Sequence, residues 1–447
     1  MSRSWASPPF PVVALAVLCV GLALHNLVMA ELWDAGVRGT ELDVVAAWKE
    51  ALLAAALGVA LWRTRRLPLG TWPDRLALAY AVAVALYAVI PQDWLGGDAS
   101  ARGVLYGLRH DLLPVAGYAL GRLLTLAARD ARLLRLVVLG TAVGLAVVGI
   151  VEVYAVPLQW WRDSGAPGWF DEQLGLDYTG LSGLPENFVF NPGDERPLRR
   201  LVGTFLSPLA TSYALVVGLL YLASRRGLAA WAWAAAAVLF AALVLTHSRS
   251  SILALAGGLV VLALAQRRVL PAVAAAVVLA LGSAGLALYE HYAPEERFTP
   301  PELEIQRAGG AEDPGATGDP FSAGESSIES HWTNLRDGVE TVLEQPWGYG
   351  LGNAGVTASR TDTEILAGES TYTELGVEIG VAGLLLFVAW NLALLRELWT
   401  RSAWLAAALA AVLALGLQTD VIGVHWLAVV LWGLCGAGVG RDYDRAE

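Results

Sequence analysis

The chain has 447 residues, of which 56% are apolar and only 16% charged, with a formal net charge of −11 and a mean hydropathy of +0.53. Soluble domains carry about a quarter charged residues, so this composition excludes an ordinary soluble domain and indicates a chain whose main solvent is lipid. The acidic balance, concentrated between the apolar stretches, argues against a nucleic-acid partner.

Apolar stretches near the ~20 residues that cross a ~30 Å hydrocarbon core recur from end to end. Helices are expected there, because lipid offers no other partner to backbone polar groups. In chain order, spans are predicted over 10–32, 42–62, 75–94, 105–126 and 132–155, an N-terminal five-span region within 1–155. The first lacks a small-residue cleavage site and reads as a retained anchor. A loop over 156–203 follows, rich in Trp, Pro, Gly and Asn and including Trp160, Trp161 and Trp169. Spans at 204–224, 229–247, 251–266 and 269–292 make a central four-span region. The next loop, 293–371, has two parts. Its first is Pro-, Gly- and acid-rich without periodicity, a composition of mobile segments. Its second, about 327–345, places Ile328, Trp332, Leu335, Val339 and Val342 at spacings of three and four. That is an amphipathic helix for the membrane surface or the bundle. Pro346 ends it, the glycine-rich WGYGLGN turn follows, and spans at 372–395, 402–419 and 422–440 complete a C-terminal three-span region within 372–447. The fold class is an all-α integral membrane protein of about twelve transmembrane helices, with a large extracytoplasmic loop before the tenth.

Arginines gather in every second short loop, as cytoplasmic loops require. Arg3 begins the series, followed by Arg63, Arg65, Arg66 and Arg75, then Arg129, Arg132 and Arg135, and then Arg225 and Arg226. Arg267 with Arg268, Arg396 with Arg401, and Arg441 with Arg445 continue it. Both termini are then cytoplasmic in a multi-pass inner-membrane protein, and the two long loops are external. Cys19 and Cys435 fall inside spans and read as small buried residues, not as a disulfide or a metal set. Lysine occurs once, at Lys49.

Ionisable groups in a bilayer are costly and mark sites or pathways. Lys49, Arg109, His110, Asp111, Glu152, Arg200, Glu374, Glu378, Asp420 and His425 all fall near the outer ends of spans, whereas the inner halves carry almost none. An outward-opening cavity explains this skew better than a conducting path. On the outside, Arg199 and Arg200 precede the sixth span, Arg249 sits in the turn THSRSS, and Arg336 lies on the amphipathic helix. Arginine forks match phosphate oxygens in pairs, although any one of them also suits interfacial snorkelling. GYGLGN has no preceding strand and no nucleotide signature, so it reads as a turn. Trp332, Trp347 and Tyr349 suit stacking on sugar rings or an interfacial aromatic belt equally.

These segments carry a resemblance. RRLVGTFLSPLATSYA (199–214), THSRSSILAL (246–255), HWTNLRDGVETVLEQPWGYGLGNAG (331–355) and ESTYTELGVEIGVAGLLLF (369–387) resemble, in order and spacing, the motifs of the O-antigen ligase and polysaccharide polymerase superfamily. The resemblance covers about 190–390, and the N-terminal spans only in hydropathy. It implies an inverting, metal-independent and cofactor-free glycosyl transfer from a glycan on undecaprenyl pyrophosphate, at the outer leaflet, to a sugar hydroxyl of a glycan or lipid-glycan acceptor. The implied site has Arg199, Arg200, Arg249 and Arg336 toward the donor pyrophosphate, with Arg109, Lys49 and Glu378 in support. Ligases of the family commonly carry His-Asn before the re-entering span, whereas this chain has Glu369-Ser370. The base that takes the acceptor proton is therefore Glu369 or His331, and the change favours a polymerase or another lipid-linked glycan transferase over a lipopolysaccharide ligase. A secondary transporter, expected to show midplane broken helices and an internal repeat, and a non-catalytic scaffold are the alternatives from other classes.

Overall fold

The computed structural model describes residues 8–176, 184, 188–191, 196–227, 229–297, 299–308 and 326–439. Arg3, Arg441, Arg445, both termini and the stretch 309–325 of the second long loop lie outside the described residues, as does the side chain of Ile328.

The described chain is mostly helical. The N-terminal part comprises α1 (Phe10–Asp34), α2 (Thr40–Ala46), α3 (Trp48–Thr64), α4 (Trp72–Tyr87), a single turn α5 (Gln92–Leu95), α6 (Ala101–Leu123) and α7 (Ala128–Ala155). Short helices α8 (Leu158–Asp163) and α9 (Ala166–Gly168) follow, then a two-stranded antiparallel ribbon of β1 (Val189–Phe190) and β2 (Leu198–Arg199), with Val189 opposite Arg199. The central helices are α10 (Pro208–Ser224), α11 (Ala230–Leu245), α12 (Arg249–Gln266) and α13 (Val269–Ala287). After them come α14 (Pro300–Ala308), α15 (Ser326–Glu344), α16 (Gly355–Ser359), α17 (Thr371–Arg401), α18 (Ala403–Leu415) and, beyond a π-helical stretch Leu427–Leu431, α19 (Trp432–Gly438).

A helix occupies each predicted span. Among the described residues, six segments are long and apolar enough to cross a membrane: α1, the joined Thr40–Thr64, α7, α12, α13 and α17. Shorter apolar helices are α10, α11, α18 and Leu427–Gly438. Helix α6 carries Arg102, Arg109, Asp111 and Arg122 and is charged for a span. Two details differ from the expectation. Ala47 interrupts the second span, so Lys49 lies in the first turn of α3. Residues 300–308, expected to lack structure, form α14, where Glu302 accepts the Thr299 N–H at 2.6 Å and an Arg162 hydrogen bond at 2.7 Å.

Local chemistry sets the helix starts. Thr71 and Asp74 form a reciprocal capping box on α4, and Ser100, Ser207, Ser248 and Ser370 cap α6, α10, α12 and α17. Helices α10 and α18 are buried nearly all round and form the centre of the bundle. Against α6, the last segment approaches backbone to backbone: a Cβ at Gly121 would meet the Gly433 carbonyl oxygen at 1.8 Å, and one at Gly436 the Tyr118 oxygen at 2.2 Å. Small residues serve this purpose where lipid removes the hydrophobic drive between helices. Tyr80 of α4 packs on Phe387 and Trp390 of α17, with ring centroids 5.5 and 5.9 Å apart.

At one end of the bundle Arg122 pairs with Asp74 at 2.7 Å, Gln266 reaches the Ser224 carbonyl at 2.9 Å, and Arg66, Arg225, Arg226, Arg267 and Arg268 lie on adjoining loops. The opposite end joins Leu201 to Leu245, Arg199 to Pro294 and Thr371 to Thr419 through backbone carbonyls.

Candidate functional site

At that second end, three constellations gather the ionisable residues.

The first lies at the start of α17. Helix α15 packs on α17 with Gly338 against Thr373 and Val342 over Gly376, where a Cβ would meet the valine at 2.6 Å. Trp332, Val339 and Leu343 of α15 stay exposed, an apolar strip facing away from the bundle. This docking brings His331 to Glu369: Nδ1 lies 2.6 Å from Oε2, and both side chains are 43% exposed. Glu369 adopts φ +64°, a left-handed conformation that non-glycine residues seldom take. The hydrogen bond from His331 holds the Glu369 carboxyl below its ordinary range, against the opposing pull of partial burial. Arg336, five residues further along α15, faces solvent and bonds Glu340 at 2.9 Å within its own helix.

The WGYGLGN turn lies beneath this corner and is pinned to α17. Tyr349 and Gly350 donate to the carbonyls of Val377 and Glu378 at 2.6 and 3.1 Å, and Val381 donates to Pro346 at 2.8 Å. Gly380 makes room by breaking the α17 ladder at φ +66°, and a Cβ there would meet the Trp347 carbonyl carbon at 2.6 Å. The glycines of both motifs are thus one interlocked backbone contact.

The second constellation joins the segment before α10 to the α11–α12 turn. Arg200 donates from Nε to the Thr246 carbonyl at 3.0 Å, and Arg249 opens α12 beside the Ser248 cap. Both lie close enough to His247 to act on it electrostatically. That histidine, at φ +50°, stacks on Phe190 with centroids 3.9 Å apart. Two arginines from segments 49 positions apart therefore share one partly exposed ledge at a helix N-terminus, which favours anions. Arg199 is different. It is fully buried, bonded to Glu152 of α7, with Glu296 at 3.7 Å, and Tyr289 donates to its carbonyl at 2.6 Å. Its guanidinium holds α7 to the ribbon and does not face the ledge.

The third constellation is more deeply set, with Asp111, Glu374 and Glu378 buried and His110 and Asp420 only slightly exposed. His110 of α6 lies between Asp111 and Asp420, with Nδ1 and Nε2 each 2.9 Å from a carboxylate. Glu374 and Glu378, one turn apart on α17, approach the same imidazole. Beside it, Arg109 bonds Glu50 and His425, both at 2.9 Å. Lys49 meets His25 Nε2 at 3.0 Å and donates to the Ala46 carbonyl at 2.8 Å, while Trp48 donates to His25 Nδ1.

Sequence reasoning places Lys49, Arg109, His110, Asp111, Glu152, Arg200, Glu374, Glu378, Asp420 and His425 near the outer ends of spans, and His331, Glu369, Arg249 and Arg336 in the outer loops or on the amphipathic helix, but not in these groups. His25 and His247 were missed altogether. Their only signals are a histidine inside an otherwise apolar α1 and a histidine in the T-H-S-R turn. The bridging position of His110 had the His-Asp pair in α6 and the i, i+4 glutamates of α17 as signals, which put each pair within reach of one point.

Residues 234–388 match the model of a family described as O-antigen ligase. The match includes the THSRSS turn, α15, the WGYGLGN turn and the first half of α17, and leaves the 199–205 segment outside. No curated protein matches the chain.

Proposed function

That match supports membership of the O-antigen ligase/polymerase superfamily, and from this premise we propose that the chain is a membrane glycosyltransferase that ligates or polymerises a glycan. In this reading the helices make twelve crossings, grouped as five, four and three, with both termini cytoplasmic and the His331 end outside. The donor is a glycan on undecaprenyl pyrophosphate, and the acceptor is a hydroxyl of a glycan or lipid-glycan.

The observation that carries the reading is the His331–Glu369 pair. With Nδ1 committed to the carboxylate, Nε2 is the nitrogen that takes the acceptor proton. Glu369 fixes the tautomer and steadies the imidazolium that forms, as a carboxylate does behind any catalytic imidazole. The histidine that related ligases carry next to the re-entering span is here supplied from α15. As the proton moves to Nε2, the acceptor oxygen bonds to the anomeric carbon from the face opposite the leaving group. The carbon–oxygen bond to pyrophosphate then breaks, and the lipid pyrophosphate departs with the electron pair. Arg200 and Arg249 meet its developing charge, so the transfer needs no metal at the reacting atoms.

The test is lipid-linked oligosaccharide transfer in proteoliposomes, comparing His331→Ala with Glu369→Gln at saturating donor and equal protein. The reading expects His331→Ala to lose the larger share of turnover. A larger loss in Glu369→Gln makes the carboxylate the base, and solute flux without transfer replaces the enzyme with a transporter.

A further inference from the structure

We propose that His110, Asp111 and Glu378 form a binding site for one divalent first-row metal ion, which ties α6 to α17 apart from the reacting groups. The argument begins with Asp420. Its Oδ1 accepts the backbone N–H groups of Ile422 and Gly423, both at 3.1 Å, so the carboxylate is anchored. Its Oδ2 lies 2.9 Å from His110 Nε2, placed to accept an N–H from that nitrogen. Metal-bound histidines almost always donate their second nitrogen to such a carboxylate. In the neutral imidazole with its proton on Nε2, Nδ1 is a lone pair that faces Asp111 Oδ1 at 2.9 Å, acceptor to acceptor. Something positive belongs between them.

A proton on Nδ1 would serve that one pair, but the surroundings ask for more. Glu378 converges on the same point, with one ligand atom of each of the three residues within 4.8 Å of the others. Its Oε1 is held by the Gly352 N–H at 2.7 Å and the Thr357 hydroxyl at 3.1 Å, which leaves Oε2 for another partner. Asp111 is wholly buried, its carboxyl lies within hydrogen-bonding reach of Glu378, and its Oδ2 has no donor among the described residues. One cation satisfies the imidazole, both carboxylates and the orphaned oxygen together. One nitrogen and two carboxylate ligands suit Mn²⁺ or Zn²⁺. The outer contacts from Asp420, Gly352 and Thr357 orient each ligand as second partners do in metal sites.

The experiment uses the purified full chain in detergent, stripped with EDTA and desalted, and titrated with Mn²⁺ under electron paramagnetic resonance. The expected result is one Mn²⁺ sequestered per chain and displaced by Zn²⁺, with thermal stability rising with Mn²⁺ concentration as ligand linkage requires. Asp420→Asn, which keeps all three ligands, should weaken binding roughly ten- to a hundredfold, and Glu378→Gln by more. A folded wild-type chain that leaves Mn²⁺ free and is not stabilised by Zn²⁺ would overturn the site, the carboxyls then sharing protons. Unchanged affinity in folded Glu378→Gln would overturn it as well. Because the readout is binding, its failure is distinct from any failure of the transfer reading.

Discussion

Two histidines in this protein each touch a carboxylate, and their settings separate their roles. His331 and Glu369 meet on the outer corner of α15 and α17, both 43% exposed, where an acceptor sugar can arrive and a proton can leave. His110 lies between Asp111 and Asp420 and is only 13% exposed, against 43% for His331, so fixed charge there must largely be compensated in place. The neighbouring arginines repeat the contrast. Arg199 is sealed against Glu152, whereas Arg200 reaches the open ledge that Arg249 shares. In the proposed reading, the same side-chain chemistry serves structure when buried and turnover when open.

The largest effect should come from breaking the buried side. Arg199→Ala leaves the Glu152 carboxylate without its cation in the interior, a change worth about 3–5 kcal/mol. The expected readout is a large drop in thermal stability or in recovered membrane protein, and unchanged stability would contradict the structural role given to Arg199.

On the open side the loss should appear in catalysis instead. Arg249→Ala removes a charge-assisted contact worth roughly 1.5–3 kcal/mol, about ten- to a hundredfold in transfer at limiting donor, with normal folding. Arg249→Lys should rescue poorly because it lacks the fork. Arg336→Ala is the control, since its fully exposed guanidinium engages Glu340 within α15, and transfer should be unchanged. Equal losses in Arg249→Ala and Arg336→Ala would remove the ledge from the site.

A smaller effect follows from pH. Glu369 has its folded value lowered by the His331 contact. The contact therefore adds stability above the ordinary carboxylate value near 4.3, and that stability fades as pH falls through the lower folded value. Hydrogen exchange in α15 should rise over that acid window, and less so in Glu369→Gln. Identical exchange profiles would show that the pair does not hold α15.

Much of this architecture was legible in the sequence, because span length and arginine placement are local properties. Each predicted span holds a helix, and Pro346 with the glycines after it marked the turn below α15. Pairings were not legible. His331 and Glu369 are 38 positions apart and meet only because Gly338 and Gly376 let α15 settle on α17. Arg199 and Arg200 are adjacent in sequence, and only the ribbon decides which one turns inward. The Ala47 break and α14 also escaped, since neither departs from the hydropathy or composition around it. The glycines of WGYGLGN and α17 were read as separate motifs, and their joint purpose emerges only when the two backbones touch.

The most direct test of the central claim is the pH dependence of kcat/KM for lipid-linked glycan transfer, measured in wild type and in His331→Ala. With His331 as the base, wild-type activity should decline on the acid side as the imidazole becomes protonated. The variant should lose about 10²–10⁴-fold and with it that acid limb. A variant that keeps both its rate and the limb would contradict the account and place the proton acceptor elsewhere in the molecule.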